Sequence, residues 1–172
     1  GKILYPKASD IINLYSLSIN FGKPIQQLME ERYAQYLQPQ DSVGINMVQW
    51  VERVITRFKA VKKENNVMDF DDMLYYFLEL LVKHKPLSTK TITRKIRHVL
   101  VDEYQDVNQI QARIVQEISR DSHSLTVVGD DAQSIYSFRG ADFRHMLDFE
   151  EIYGGKEEGT IIIKLIKNYR SS

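Results

Sequence analysis

Two stretches of the chain place carboxylates where an apolar run ends. Val99-Leu100-Val101 is followed at once by Asp102 and Glu103, and Val127-Val128 by Gly129, Asp130, Asp131, Ala132 and Gln133. A short continuous apolar run reads as a strand buried on both faces. Ligands of parallel sheets gather beyond the carboxyl ends of such strands. Adjacent carboxylates there suit a divalent cation: Mg²⁺ takes one or two protein oxygens and keeps several waters. A second carboxylate can then orient or polarise an attacking water. The same pair can instead cap and flank the next helix. Gln133 offers a neutral amide able to contact a phosphate oxygen or place a water, or simply to bond loop backbone.

Two further clusters follow. In Ser134-Ile135-Tyr136-Ser137-Phe138-Arg139-Gly140, two aromatics lie two residues apart and an arginine comes directly after. That spacing allows stacking on bases of a single strand, or a turn with core aromatics. Near the end, Asn168-Tyr169-Arg170 sets an arginine able to reach a phosphoryl group beside a ring able to face a purine. The alternative is an exposed terminal segment.

The elements that position these residues are read from periodicity. Residues 1–96 are mostly helical. Helical spacing is expected over Asp10 to Asn20, closed by Phe21-Gly22-Lys23-Pro24, and over Ile25 to Leu37. Met47, Trp50, Val51, Val54, Ile55, Phe58 and Val61 form one stripe, with Lys59, Lys62, Lys63 and Glu64 mostly off it. Asp69 is the expected N-cap of the next helix, with Asp72 in its first turn and Met73, Leu74, Phe77, Leu78 and Leu81 facing inward. The pattern changes near residue 98. Strand 99–101, helix 109–119 (Ile110, Ile114, Val115 and Ile118 inward), strand 125–128, helix 143–152 and strand 160–165 alternate. This predicts an α/β fold with a parallel sheet. Between the two parts, Lys83, Lys85, Lys90, Arg94, Lys95 and Arg97 occur without an acid. They read as a solvated connection or as a phosphate-contacting stretch.

Composition narrows the function classes. The chain has 172 residues, 43% hydrophobic and 27% charged, an ordinary globular composition that excludes disordered, collagenous and coiled-coil classes. It contains no cysteine, so disulfides, thiol nucleophiles and zinc–cysteine sites are excluded. No apolar run approaches membrane-spanning length, no secretory signal is visible, and the expected compartment is the cytoplasm. With 23 basic and 23 acidic side chains the net charge is zero. Nucleic-acid binding must therefore rest on local constellations rather than on bulk attraction. Gly1, where Met would stand, fits a processed or excised piece, or a residue left over from cloning.

Together these segments resemble the UvrD/Rep/PcrA family of superfamily 1 DNA helicases. Val101-Asp102-Glu103-Tyr104-Gln105-Asp106-Val107-Asn108 resembles that family's Walker B motif. The run from Val127 to Asp142 resembles its third helicase motif, and Leu165 to Ser172 its fourth. Met68-Asp69-Phe70-Asp71-Asp72-Met73-Leu74 is similar to its helical insertion. The resemblance implies two parts. Residues 1–96 would be a mainly helical insertion subdomain. Residues 97–172 would be a partial RecA-like parallel sheet, the C-terminal half of the first motor domain, ending where the second begins.

It also implies roles. Asp102 would hold Mg²⁺, Glu103 would activate the attacking water, and Gln133 would contact the γ-phosphate of ATP and couple hydrolysis to DNA movement. Tyr136 and Phe138 would stack on single-stranded DNA, Phe138 standing where many members carry Trp. Arg139 would link the DNA groove to the nucleotide site. Tyr169 would stack on the adenine, and Arg170 would be an arginine finger. The partners implied are single-stranded DNA, duplex junctions, and the remaining N- and C-terminal parts of the same helicase, with no membrane.

The chain departs from the family in two respects: no G-x-x-x-x-G-K-[ST] phosphate loop is present, and the second motor domain expected after Ser172 is missing. Its Gly-Lys pairs are followed by Ile3, Pro24 and Glu157. The expectation is a segment inactive by itself, with negligible ATPase and at most weak single-strand binding. Its open sheet edge invites an artefactual dimer. Two alternatives remain: the helicase part of a helicase-nuclease of the AddA/RecB kind, and a non-catalytic DNA-binding module.

Overall fold

The computed structural model describes residues 5–37, 46–130, 148–154 and 159–167. Helix α1 (Ala8–Phe21) ends where Gly22 adopts the left-handed conformation, φ 63°, and its N–H turns back to the Ile19 carbonyl at 3.3 Å. A Cβ there would strain the backbone. Helix α2 (Ile25–Arg32) follows. The helix expected to run to Leu37 breaks at Tyr33, whose ψ of 34° at φ −135° lies outside the helical region, and Ala34–Tyr36 forms a separate 3₁₀ turn.

Helix α3 (Met47–Glu64) is capped by the Asn46 side chain, which accepts from the Gln49 N–H at 3.2 Å. Helix α4 (Phe70–Lys83) carries the expected Asp69 cap: Asp69 accepts from the Asp72 N–H at 2.9 Å, and Asp72 accepts from the Asp69 N–H at 3.1 Å. This reciprocal box satisfies two helix-end donors at once. Helix α5 (Lys85–Thr91) and a 3₁₀ turn at Thr93–Lys95 carry the basic stretch towards strand β1 (His98–Val101).

After a 3₁₀ turn at Tyr104–Asp106, helix α6 (Gln109–Ser119) occupies the expected residues, boxed by Asn108 and Gln111. Strand β2 (Ser124–Val127) pairs parallel with β1 in the register His98–Ser124 to Val101–Val127. Helix α7 (Phe149–Tyr153) covers the end of the expected helix 143–152, of which 143–147 lie outside the described residues.

Three apolar clusters hold these elements. The first joins α1, α2 and α3 through Leu14, Leu17, Leu28, Met29, Val51 and Ile55, with Trp50 half-buried against it. The second joins α4 and α6 through Leu78, Leu81, Ile110 and Ile114. It therefore reaches across residues 96 and 97. The third lies under the strand ends: Tyr104, Val107 and Ala112, with Val101, Val127 and Phe149 against them.

Four expectations are corrected. Lys62 is buried and Val61 exposed, the reverse of the expected stripe; the ammonium is drawn in by carboxylates on α4 and its cap. Met73 is exposed, because the inward face of α4 turns through Asp72, Leu78 and Leu81. Strands β1 and β2 are not buried on both faces: Leu100 is 78% exposed and Thr126 is exposed, because α6 covers one face only among the described residues. Residues 160–165 form no strand. They have strand composition but no ladder partner among the described residues, and Ile161, Ile163 and Leu165 are exposed. A strand exists only as part of a ladder.

Candidate functional site

The parallel pairing of β1 and β2 brings their carboxyl ends to one rim. The ladder continues beyond the strands: the Val128 N–H donates to the Val101 carbonyl at 2.8 Å, and the Tyr104 N–H to the Val128 carbonyl at 2.9 Å. Asp102 and Glu103 therefore leave β1 beside Gly129 and Asp130 of the other strand end. Both carboxylates are exposed, and among the described residues no cation pairs with either.

Local bonds set the shape of the turn. Asp102 Oδ1 accepts from the Glu103 N–H at 2.9 Å, and the Asp106 N–H donates to the Glu103 carbonyl at 2.9 Å. Glu103 has φ 51° and ψ 43°, the left-handed region that a residue with a Cβ enters at a cost of roughly 1–2 kcal/mol. Such strain persists only where the surroundings impose it, and it gathers at functional sites. Tyr104 points inward, 1% exposed, and meets Phe149 edge-on at 6.1 Å between centroids. Burial raises the pKa of its hydroxyl. The turn is thus pinned from beneath by an aromatic while the carboxylates stay at the surface.

Gln105 is a residue for which sequence reasoning assigned no role. It is 2% exposed, donates from Nε2 to Glu103 Oε2 at 2.7 Å, and accepts at Oε1 from the Asp130 N–H at 3.0 Å. Its place inside the acidic motif was the only signal in the sequence. Beside it, Asp106 Oδ1 is buried and has no hydrogen-bond partner.

Helix α6 is fixed from the other side. The Asn108 amide donates to Asn20 Oδ1 at 2.8 Å, and Asn20 donates to Asp71 Oδ1 at 3.1 Å. A buried amide relay therefore ties the helix that follows the acidic turn to α1 and α4. Next to it, Lys62 contacts Asp69 Oδ2 at 2.7 Å and Asp72 Oδ2 at 2.6 Å, while the Tyr15 hydroxyl donates to Asp72 Oδ1 at 2.5 Å. The ammonium also lies 4.4 Å from the Phe58 ring centroid and 4.5 Å from that of Tyr15, close enough for cation–π attraction. Burial by itself would lower the Lys62 pKa, but its bonds to Asp69, Asp72 and Tyr15 outweigh this and raise it. Burial would likewise raise the Asp72 pKa; the bonds from Lys62 and Tyr15 bring it below the ordinary carboxylate value.

Of the predicted site residues, the structure brings Asp102 and Glu103 together. Gln133, Tyr136, Phe138, Arg139, Tyr169 and Arg170 lie outside the described residues. Among the described residues no group of three or more His, Asp or Glu gathers as a metal cage. A Mg²⁺ site does not need one, since one or two carboxylates with water and phosphate oxygens suffice. The exposed, hard-oxygen donors Asp102 and Glu103 fit that ion. No helix among the described residues is long and apolar enough to cross a membrane.

Comparison with known proteins gives the family. Residues 10–154 match the UvrD/REP helicase N-terminal domain. The chain is 39% identical over 109 residues to the ATP-dependent DNA helicase srs2 of Schizosaccharomyces pombe, covering 63% of this chain and 11% of that protein. It is 39% identical over 115 residues to the ATP-dependent DNA helicase Rep of Buchnera aphidicola, covering 67% and 16%. It is 32% identical over 158 residues to an ATP-dependent helicase/nuclease protein of Natranaerobius thermophilus, covering 88% and 12%. The matches span about a sixth or less of these relatives' length. With most of its length matched to that domain, and the acidic turn standing at the end of a parallel strand pair, the chain belongs to the UvrD/REP helicase family.

Proposed function

We propose that this chain supplies the hydrolytic carboxylates, and part of the DNA-contacting surface, of an ATP-dependent DNA helicase that couples Mg-ATP hydrolysis to movement on single-stranded DNA and to duplex unwinding. The observation that carries this reading is the Asp102–Glu103 pair. It is exposed at the carboxyl end of a parallel strand, free of any ion pair among the described residues, and set in a strained turn. Carboxylates placed only for stability are normally paired or used as caps. These two are left able to take a cation and a water.

In this reading residues 97–172 belong to a RecA-like motor domain and residues 1–96 to a helical insertion, with the α4–α6 core and the Asn20–Asn108 relay joining them. Asp102 would hold Mg²⁺, which would supply neutralisation of phosphate charge. Glu103 accepts the proton of the attacking water. Gln133 meets the γ-phosphate, Arg170 steadies the charge of the transferring group, and Tyr169 stacks on the adenine. Tyr136 and Phe138 stack on bases, each worth roughly 1–3 kcal/mol, and Arg139 joins that surface to the nucleotide. Family membership and the ATP-dependent relatives support these assignments. The likeness to a helicase/nuclease protein keeps a second reading in view, in which the same segment drives a helicase-nuclease.

The test is ATP hydrolysis, with and without single-stranded DNA, by the full-length reading frame that carries these residues and by its Glu103→Gln variant. The present chain is assayed beside them. The expected result is DNA-stimulated turnover in the full-length protein, its loss in the variant, and no turnover above background from the present chain. Turnover that survives Glu103→Gln would remove Glu103 from the mechanism.

A further inference from the structure

We propose that Gln105 is the positioning residue for the Glu103 carboxylate, holding it in hydrolytic register by tying it to the backbone of the opposite strand end at Asp130. The inference rests on the reading of Glu103 as the water-activating group. Glu103 is exposed, so a free carboxylate there would sample several rotamers, and misplacement by about an ångström can cost on the order of 10²-fold in rate. One restraint on that side chain is visible. Gln105 Nε2 donates to Glu103 Oε2 at 2.7 Å, from an amide that is itself 2% exposed.

The other end of the amide makes its orientation unambiguous. Oε1 accepts from the Asp130 N–H at 3.0 Å. A backbone N–H can only donate and a carboxylate can only accept. The amide must therefore present oxygen to Asp130 and nitrogen to Glu103. A flipped amide would lose both bonds and bury an unmatched donor and acceptor. The anchor is firm, because Asp130 follows Val128, whose N–H and carbonyl are both taken by the β1 end at 2.8 and 2.9 Å. The strained backbone at Glu103 and the inward Tyr104 place Gln105 beneath the carboxylate rather than beside it in solvent. The geometry thus gives Gln105 one task, which is to fix which oxygen of Glu103 is engaged and which faces outward.

The experiment uses the full-length protein with four variants: Gln105→Met, Gln105→Glu, Glu103→Gln and the double variant Glu103→Gln with Gln105→Met. Turnover, KM for ATP, binding of a fluorescent ADP analogue with Mg²⁺, and melting temperature are measured. Gln105→Met is expected to lower kcat about 10- to 100-fold, with KM and ADP binding within about twofold of the parent. Gln105→Glu keeps an acceptor for the Asp130 N–H but sets a second, buried carboxylate against Glu103, so it should lose turnover and lower the melting temperature, with ADP binding unchanged. If Gln105→Met does not fold, this second variant decides the question.

The double variant should be no slower than Glu103→Gln alone, since a residue that acts only through Glu103 has nothing left to position. Three results would overturn the proposal: turnover within twofold of the parent in Gln105→Glu, a fully additive loss in the double variant, or a kcat loss matched by weaker ADP binding and a lowered melting temperature. Full turnover in Glu103→Gln alone would instead overturn the reading of Glu103, and the inference with it. That failure is recognisable because it appears without any change at Gln105.

Discussion

Asp69 and Asp72 open helix α4, Asp102 and Glu103 follow strand β1, and the two pairs are treated oppositely. Asp72 is buried, accepts from the Tyr15 hydroxyl and the Asp69 N–H, and shares the Lys62 ammonium with Asp69. Its bonding capacity is spent. Asp102 and Glu103 are exposed, meet an N–H and an amide rather than a cation, and sit on a strained turn. Both pairs open on an aspartate that bonds a following backbone N–H, so local chemistry does not separate them. What separates them is whether a cation arrives from another element. A carboxylate that the fold neutralises holds helices together. One that it leaves unneutralised keeps affinity for a cation, a water or a proton.

Substitutions sharpen this contrast, beginning with the largest effect. Glu103→Gln in the full-length protein should lower kcat by about 10²–10⁴-fold, the usual worth of a general base, while its melting temperature stays put. A comparable loss of folding would mean that Glu103 is structural after all. Lys62→Met should destabilise the helical core by about 3–5 kcal/mol, since it strands Asp72 in a buried setting without its partner. Urea denaturation of the present chain would show it, and a change under about 1 kcal/mol would break the comparison.

Acid titration follows from the same pair. The folded pKa of Asp72 lies below its ordinary 3.8, so its contribution is complete above that value and is lost as pH falls through the folded one. Lys62 is raised above its ordinary 10.5, so its share is complete below that pH and is lost as pH rises through the folded value. The urea midpoint should therefore hold level between these limits. Lys62→Met should make the acid-side fall shallower, because Asp72 without its cation no longer prefers to stay ionised. The smallest effects are in the backbone. Glu103→Gly should abolish turnover but leave stability within about 1 kcal/mol of the parent, because relief of the left-handed strain is offset by the buried Gln105 amide losing its acceptor. Gly22→Ala, with φ 63°, should lower stability by about 1 kcal/mol.

Much of the helical framework was legible because its signals are local. Asp69 marks an N-cap with Asp72 in the first turn, and apolar spacing marks the helix from Gln109, so both helices begin where expected; the reciprocal boxes Asp69–Asp72 and Asn108–Gln111 are what the structure adds. Asp102 and Glu103 were legible because an apolar run ends on them. Lys62 was not, because it lies beside the apolar stripe and is drawn inward only by partners on α1 and α4. Gln105 was not, because its second contact, Asp130, comes from another strand. The expected strand at 160–165 had the right residues, but strand formation depends on a neighbour that composition does not report.

The distribution of aromatic and sulfur chemistry has a practical consequence. Trp50, the one tryptophan in the chain, packs on the α1–α3 cluster and within 5.3 Å of the Tyr5 ring. Tryptophan fluorescence, excited at the red edge to spare the tyrosines, will therefore report the helical core and stay silent about the acidic turn. With no native cysteine, a single thiol introduced on the exposed face of β1, at Leu100 for instance, would be a unique attachment point for a dye. Two colours in one sample would then show whether the helical core and the strand pair melt together or one before the other.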